Sequence, residues 1–366
     1  MAAPSTLNLP SGDATVIVRA IDSVDPAKSF IPAALFLGPI PSGRELMFFP
    51  DYAFLVENPR LGRRVMFDLG TRDLKTYPPS VQTMLEQPGV NFVVNEVPDQ
   101  LVKGNIDLAS VDAVIWSHTH VDHVGDVTKF PPSTELVVGR GTNLSAYPDN
   151  AASGLREEDV RGRKVKEVSY TDALKIGEFD AFDFFGDGSF YLLDCPGHVR
   201  GHTCALARVT PTAFIFLGGD ICHHPGEFRP SALLHRNFPC PGHILEAANK
   251  EVSTEHFGAS GASKAAFDLS KRGEPMLGVV EGIVHEDIVD TRKAIQRLLP
   301  FDADSDILVV IAHDATLIGK LPLFPETLND WKKEGLKEKV VWDSFDPGSP
   351  AFRYSGEYSG NAPAVL

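Results

Sequence analysis

The sequence predicts a β-rich fold of the mixed α/β (α+β) class, with histidines and aspartates gathered at one rim of its sheets. Two observations carry that prediction. Short apolar runs rich in β-branched and aromatic residues recur along the chain, and each leads directly into polar, chemically capable residues. Val65-Met66-Phe67 leads to Asp68, and Val111 to Trp116 leads to Ser117 and His118. Phe190 to Leu193 leads through Asp194 to Pro196-Gly197-His198, Ala213 to Leu217 leads to Gly218-Gly219-Asp220, and Ile307 to Ala312 leads to His313. Runs of this length and composition read as buried strands. Side chains at the ends of neighbouring strands converge on one edge of a sheet, where loops build sites.

Helical signals are fewer. His285 to Leu299 carries apolar residues at Ile288, Ile295, Leu298 and Leu299, near helical spacing, and Pro300 is expected to end it. Ser260 to Lys271 is a second candidate helix. Between Cys222 and Phe257 lies a stretch rich in Pro, Gly, His and Phe with weak periodicity, which reads as a lid or binding loop. With no internal repeat and no low-complexity linker, residues 1–366 are expected to form one domain, with a lid or insert at about 222–300 and a C-terminal extension at about 320–366.

A chain of 366 residues can bury a substantial core, and its 43% hydrophobic and 23% charged residues are those of an ordinary globular protein. A formal net charge of −15 disfavours a nucleic-acid backbone or an anionic membrane surface as partner. The longest apolar runs, such as Ile307 to Ala312, are far too short to span a bilayer. Met1-Ala2-Ala3-Pro4-Ser5 has no basic region followed by an apolar stretch, and Cys195, Cys204, Cys222 and Cys240 form no CxxC pair. Reduced thiols and a cytoplasmic location are therefore expected.

The sharpest feature is His118-Thr119-His120-Val121-Asp122-His123, four potential ligands placed directly after a strand signal. Histidines two apart in an extended or tightly turning segment can aim their imidazoles at one ion, and the following Asp-His pair can turn toward a second. Neutral imidazole with carboxylate suits zinc, and iron or manganese would accept the same donors.

In these residues the chain resembles the metallo-β-lactamase superfamily, whose signature is His-x-His-x-Asp-His at a strand end. Downstream, Cys195-Pro196-Gly197-His198 with Gly201-His202-Thr203, Phe216-Leu217-Gly218-Gly219-Asp220 and Ile311-Ala312-His313-Asp314 resemble that family's later motifs. Phe67-Asp68-Leu69-Gly70 resembles its aspartate-bearing turn, with Leu69 where threonine is usual. The resemblance implies a four-layer αββα sandwich of two mixed sheets flanked by helices. It also implies a dinuclear site. His118, His120 and His198 would hold one zinc ion, Asp122, His123 and His313 would hold the other, and Asp220 would bridge them. His202 would support the site rather than ligate.

The implied activity is hydrolysis of a small molecule. A water between two ions loses its proton near neutral pH and attacks a carbonyl carbon, with Asp122 orienting it. A cyclic ester or amide fits this machinery, as in the quorum-signal lactonase branch, which the motif layout most resembles. That branch carries Tyr three residues after its bridging aspartate, where this chain has His223. His223 is thus a candidate catalytic proton donor, and the alternative for it and His224 is an ordinary loop histidine. Gly219 to His224 also resembles the organophosphate-hydrolysing branch. A thioesterase is a further alternative, although the tail from Trp342, with Arg353 its only cation, lacks the basic patch of glyoxalase II relatives. A non-catalytic metal-binding scaffold would usually have lost ligands. The resemblance admits a homodimer. Phe30 to Phe49 would either wall the pocket or serve as a hydrophobic packing loop.

Overall fold

The central apolar runs form strands buried on both faces, which requires a second sheet on one side and helices on the other. The computed structural model describes residues 7–38, 45–171, 173–239, 241–244, 273–282, 284–346 and 348–351. Among these, the first six-stranded sheet takes β1 (Ile17–Asp22), β2 (Tyr52–Asn58), β3 (Arg63–Phe67), β4 (Ala113–Ile115), β5 (Glu135–Val138) and β6 (Val165–Glu167) in that spatial order. The first three are antiparallel, and β3 through β6 are parallel. The second sheet takes β7 (Leu174–Ile176), β8 (Phe179–Asp183), β9 (Phe190–Asp194), β10 (Thr203–Arg208), β11 (Phe214–Leu217) and β12 (Ile307–Val310). Its neighbours are antiparallel except β11 and β12, which run parallel with Leu217 opposite Val310.

Between the sheets, Val65 and Phe67 of β3 join Phe190, Leu192, Ile215, Leu217, Leu308 and Val310 in one core. The alternate residues face outward and are covered by helices. Met66 meets Val97 and Leu101 of α1 (Val97–Lys103), while Ile307 and Val309 meet Ile295, Leu298 and Phe301 of α2 (Ile288–Ala303). The result is the helix–sheet–sheet–helix layering expected. Each fully buried side chain of this kind contributes about 1.5–3 kcal/mol of transfer free energy.

The observed α2 differs from the expected helix at both ends. It starts at Ile288 because Asp287 accepts hydrogen bonds from Val289 and Asp290 N–H, which leaves His285 to Asp287 outside the helix. It also continues through Pro300 to Ala303. Proline removes one backbone donor near the helix end, but Phe301 is buried against Phe179 and Phe216, with ring centroids at 5.7 and 5.1 Å, and this packing holds the last turn. The candidate helix Ser260 to Lys271 lies outside the described residues, as does much of the expected lid.

The C-terminal segment completes the core rather than standing apart from it. Leu321, Leu328, Trp331 and, from α3 (Leu336–Val340), Leu336 and Val340 join the inter-sheet cluster. Phe324 and Leu328 N–H donate to Ala20 and Val18 carbonyls, so this segment covers edge strand β1. The tail 352–366 lies outside the described residues. No helix among the described residues is long and apolar enough to cross a membrane.

Candidate metal centre

The parallel pairs β3·β4 and β11·β12 end on one rim, and there Asp68, His118, Asp220 and His313 approach one another. The His118 segment is held from both sheets. Trp116 N–H donates to Val137 O at 3.0 Å, Ser117 N–H to Asp68 Oδ1 at 2.6 Å, and Thr203 N–H to Ser117 O at 2.8 Å. The chain bends at Ser117 and again at His120, which takes the N-cap position of the short helix Val121–Val124 with extended backbone angles. His118 and His120 therefore turn to one side, and Asp122 and His123, in the first helical turn, to the other. Tyr77 hydroxyl donates to Val121 O, and the buried Arg72, paired with Asp159 at 2.8 Å, donates to Gly125 O. Gly125 sits at φ +51° where a Cβ would lie 2.7 Å from Leu69 O, so the helix ends against the Asp68 turn.

Two constellations result, each with its ligand atoms within 4.8 Å of one another: His118, His120, His198 and Asp220, and Asp122, His123, Asp220 and His313. In the first, His198 Nε2 lies 3.2 Å from His118 Nε2 and 2.9 Å from His120 Nδ1. In the second, Asp220 Oδ1 lies 3.1 Å from both His123 Nε2 and His313 Nε2, and Asp122 Oδ2 lies 3.6 Å from His313 Nε2. The other carboxylate oxygen of Asp220, Oδ2, faces the first group, 3.4 Å from His198 and 3.7 Å from His118. All seven residues picked out in the sequence thus come together, with Asp220 shared.

The surroundings fit a pair of cations. His123 Nε2, His313 Nε2 and Asp220 Oδ1 are buried without any hydrogen-bond partner, although buried polar atoms nearly always have one. The rear nitrogens are occupied: His123 Nδ1 faces Asp68 Oδ2 at 2.9 Å, and His313 Nδ1 faces Pro50 O at 2.8 Å. Donation of Nδ1–H there leaves the Nε2 lone pairs aimed at Asp220. Burial would raise the Asp220 carboxyl, but the facing His123, His313 and His223 hold it well below the usual carboxylate range. Burial would likewise lower His123 and His313, yet the surrounding carboxylates, Asp220 foremost, raise both. This pocket favours positive charge. His118 and His198 are driven the other way, well below the ordinary histidine value, by burial and by neighbouring histidines.

His202 has both nitrogens engaged, Nδ1 with Cys195 O at 3.1 Å and Nε2 accepting from Asp220 N–H at 3.0 Å. It holds Asp220 in place and has no nitrogen to offer, despite the nearby buried thiols of Cys195 and Cys204. His223 is fully buried, with Nε2 at 3.2 Å from Asp220 Oδ2 and its ring stacked on Phe36 at 4.3 Å. His224 instead takes a structural part, accepting from Gly226 N–H and meeting Ala351 O at 2.8 Å. The segment around Phe30 to Phe49 does wall the site, because Phe49 stacks on His313 at 3.7 Å and Phe36 on His223; residues 39–44 lie outside the described ones.

Three contributors went unseen in the sequence. Buried Asp51 accepts from Thr71 N–H and Oγ1 and from Ser23 Oγ, and burial together with Asp122 raises its carboxyl to about 6. It stands just before the apolar run Tyr52 to Val56, the reverse of the run-then-polar pattern, and reading that pattern in both directions would have found it. Glu227 accepts from His223 and His224 N–H and is pushed up to about 8 by burial. His285 places Nδ1 3.1 Å from His198 Nδ1, and burial lowers it to about 3.

A family model described as the metallo-beta-lactamase superfamily matches residues 48–214. The metallo-hydrolase mfmC of Annulohypoxylon moriforme is 38% identical over 382 residues, covering 98% of this chain and 94% of that protein. The gamma-lactamase FDB1 of Fusarium pseudograminearum is 37% identical over 367 residues, covering 93% of this chain and 84% of that one. The crystal structure of a B. thuringiensis AiiA mutant with N-decanoyl-L-homoserine at its active site superposes with a TM-score of 0.54 at 14% identity, over 86% of this chain and 99% of that one. The chain belongs to the metallo-β-lactamase superfamily and is a metal-dependent hydrolase.

Proposed function

We propose that this chain is a dinuclear zinc hydrolase that opens a cyclic ester or amide. The observation that carries the proposal is the Asp220 carboxylate, which turns one oxygen to each of two ligand clusters, with His123 Nε2, His313 Nε2 and its own Oδ1 left without a hydrogen-bond partner. His118, His120 and His198 would hold one ion, Asp122, His123 and His313 the other, and Asp220 would bridge them; iron or manganese would suit the same donors. Such ions, when bound, would supply an acidified water and polarise a carbonyl oxygen. Asp122, with 16% of its side chain exposed, is the carboxylate of the cluster open to substrate, and it orients the attacking water and accepts its proton. His223, as the imidazolium, would give its Nε2 proton to the departing oxygen or nitrogen. It would be reprotonated by the proton that Asp122 accepted, leaving both groups as they began. Phe36 and Phe49, stacked behind His223 and His313, hold those rings and keep bulk water from that side. The name of FDB1 as a gamma-lactamase supports a cyclic amide among the substrates.

The test is proton release by the zinc-loaded protein against acyl-homoserine lactones, simple γ- and δ-lactones, aryl-fused lactams, thioesters and a phosphotriester. Turnover of a cyclic substrate that disappears in Asp122→Asn supports the proposal. Cleavage of thioester or phosphotriester alone overturns the substrate class and leaves the metal site standing.

A further inference from the structure

His285 lies far along the chain from the six-residue histidine motif, and no motif marks it. Its place is nonetheless built. The segment before α2 docks on the loop that carries His198: Glu286 N–H donates to His198 O at 2.7 Å, Asp287 N–H to Gly197 O at 3.0 Å, and the Glu286 carboxylate accepts from Arg200 N–H at 2.6 Å. The contact is close enough to require glycine at 197, since a Cβ there would sit 2.4 Å from Thr291 N. The start of α2 and the His198 loop are therefore clamped by backbone, and the side chain presented at the clamp is His285, 7% exposed.

Proton placement gives this contact its meaning. For His198 to offer Nε2 to the ion shared with His118 and His120, its other nitrogen must carry the proton. That Nδ1–H then points away from the ion, toward whatever acceptor stands behind the ring. Histidines bound to metals usually give this proton to a carboxylate, a backbone carbonyl or water. Here the atom at hydrogen-bond distance is His285 Nδ1, at 3.1 Å. An imidazole accepts at Nδ1 when its own proton is on Nε2, and the Nδ1 lone pair then faces His198. The ring stands nearly perpendicular to His198, at 78°, with centroids 5.1 Å apart, so the Nδ1 atoms meet without stacking.

We propose that His285 is a positioning residue of the metal centre, which accepts the Nδ1 proton of His198 and so fixes the tautomer and direction of the third ligand in the three-histidine cluster. The inference rests on the dinuclear reading above. It makes the affinity of one ion, rather than both, depend on a residue at the start of α2.

The experiment measures metal binding, apart from turnover. Zinc content per chain and zinc affinity, by competition with a chromophoric chelator, are compared for the wild type, His285→Ala and His285→Asn, together with the visible spectra of their cobalt(II) forms. Asparagine can place its side-chain oxygen near the position of Nδ1. The expected result is that His285→Ala loses about 10- to 100-fold in affinity at one of two sites, with the cobalt spectrum of that site alone altered, and that His285→Asn recovers part of the loss. Circular dichroism of each variant reports folding, and the asparagine variant carries the test if the alanine variant fails to fold. Two ions bound by His285→Ala as tightly as by the wild type overturn the proposal while leaving the dinuclear site intact. A wild type that binds a third zinc ion, absent in His285→Ala, also overturns it, since His285 would then be a ligand itself. A wild type that binds no zinc overturns the dinuclear reading as well.

Discussion

Asp68 and His123 are joined at 2.9 Å between Oδ2 and Nδ1, while the other oxygen of Asp68 accepts the Ser117 N–H at 2.6 Å. One carboxylate thus ties the end of β3 to the start of the histidine motif and sets the proton on the far side of His123. In Asp68→Asn, the amide oxygen keeps the Ser117 bond and the amide N–H faces Nδ1. His123 then carries its proton on Nε2, pointing at Asp220. The expected outcome is a loss of about 10- to 100-fold in affinity for the ion held by Asp122, His123 and His313, with secondary structure intact. Metal content after dialysis, read beside circular dichroism, checks it.

Asp220 should matter to both ions. Asp220→Asn keeps the shape but removes the charge from the centre of the two clusters, so the variant is expected to retain at most one ion per chain. Hydrolysis by the wild type should likewise stop on treatment with EDTA and return with added zinc. Activity that survives exhaustive chelation would contradict a metal-dependent reaction at this rim.

His223 is assigned to the leaving group, so its loss should register in kcat more than in KM. His223→Gln is expected to lower kcat by about 100-fold, at the low end of what a general acid supplies. The loss should grow as the leaving group becomes a poorer one. Equal losses across a series of leaving groups would assign His223 to holding Asp220 instead.

Glu227 gives a pH dependence with a definite sign. Its folded-state carboxyl is pushed up to about 8 by burial, against an ordinary value near 4.5. The folded protein therefore keeps a proton that the unfolded chain releases. The associated stability is fully present below about pH 4.5 and is lost as pH rises through about 8. Glu227→Gln cannot ionise, so its Tm should fall less than that of the wild type between pH 5 and pH 8. Parallel Tm curves for the two proteins would show that Glu227 does not titrate in this window.

The candidate metal ligands were legible in the sequence because their chemistry is local. His118 to His123 supply four donors within one turn of chain, and His198, Asp220 and His313 each follow an apolar run that can only be a buried strand. The strands were legible through apolar runs such as Val65, Met66 and Phe67, and the two-sheet sandwich through the family resemblance that the motifs after those runs carry. What the sequence hid is set by contacts distant along the chain. His198 and His285 are 87 residues apart, and nothing near either residue announces the other. Phe36 and Phe49 look like packing residues and are packing residues, but what they pack against is His223 and His313. The misread end of α2 has the same origin. Pro300 is a local stop signal, and the burial of Phe301 against the second sheet overrides it.

The parallel pairing of β11 with β12 brings Asp220 and His313 to the rim as neighbours, even though a long excursion of chain separates them in sequence. Two strands locked in register close that excursion like a ring on a clasp. Lengthening a closed loop is inexpensive, about 0.6 kcal/mol for each doubling. The chain between the clasped strands can therefore grow or shrink at little cost, while Asp220 and His313 stay where the paired strands have put them.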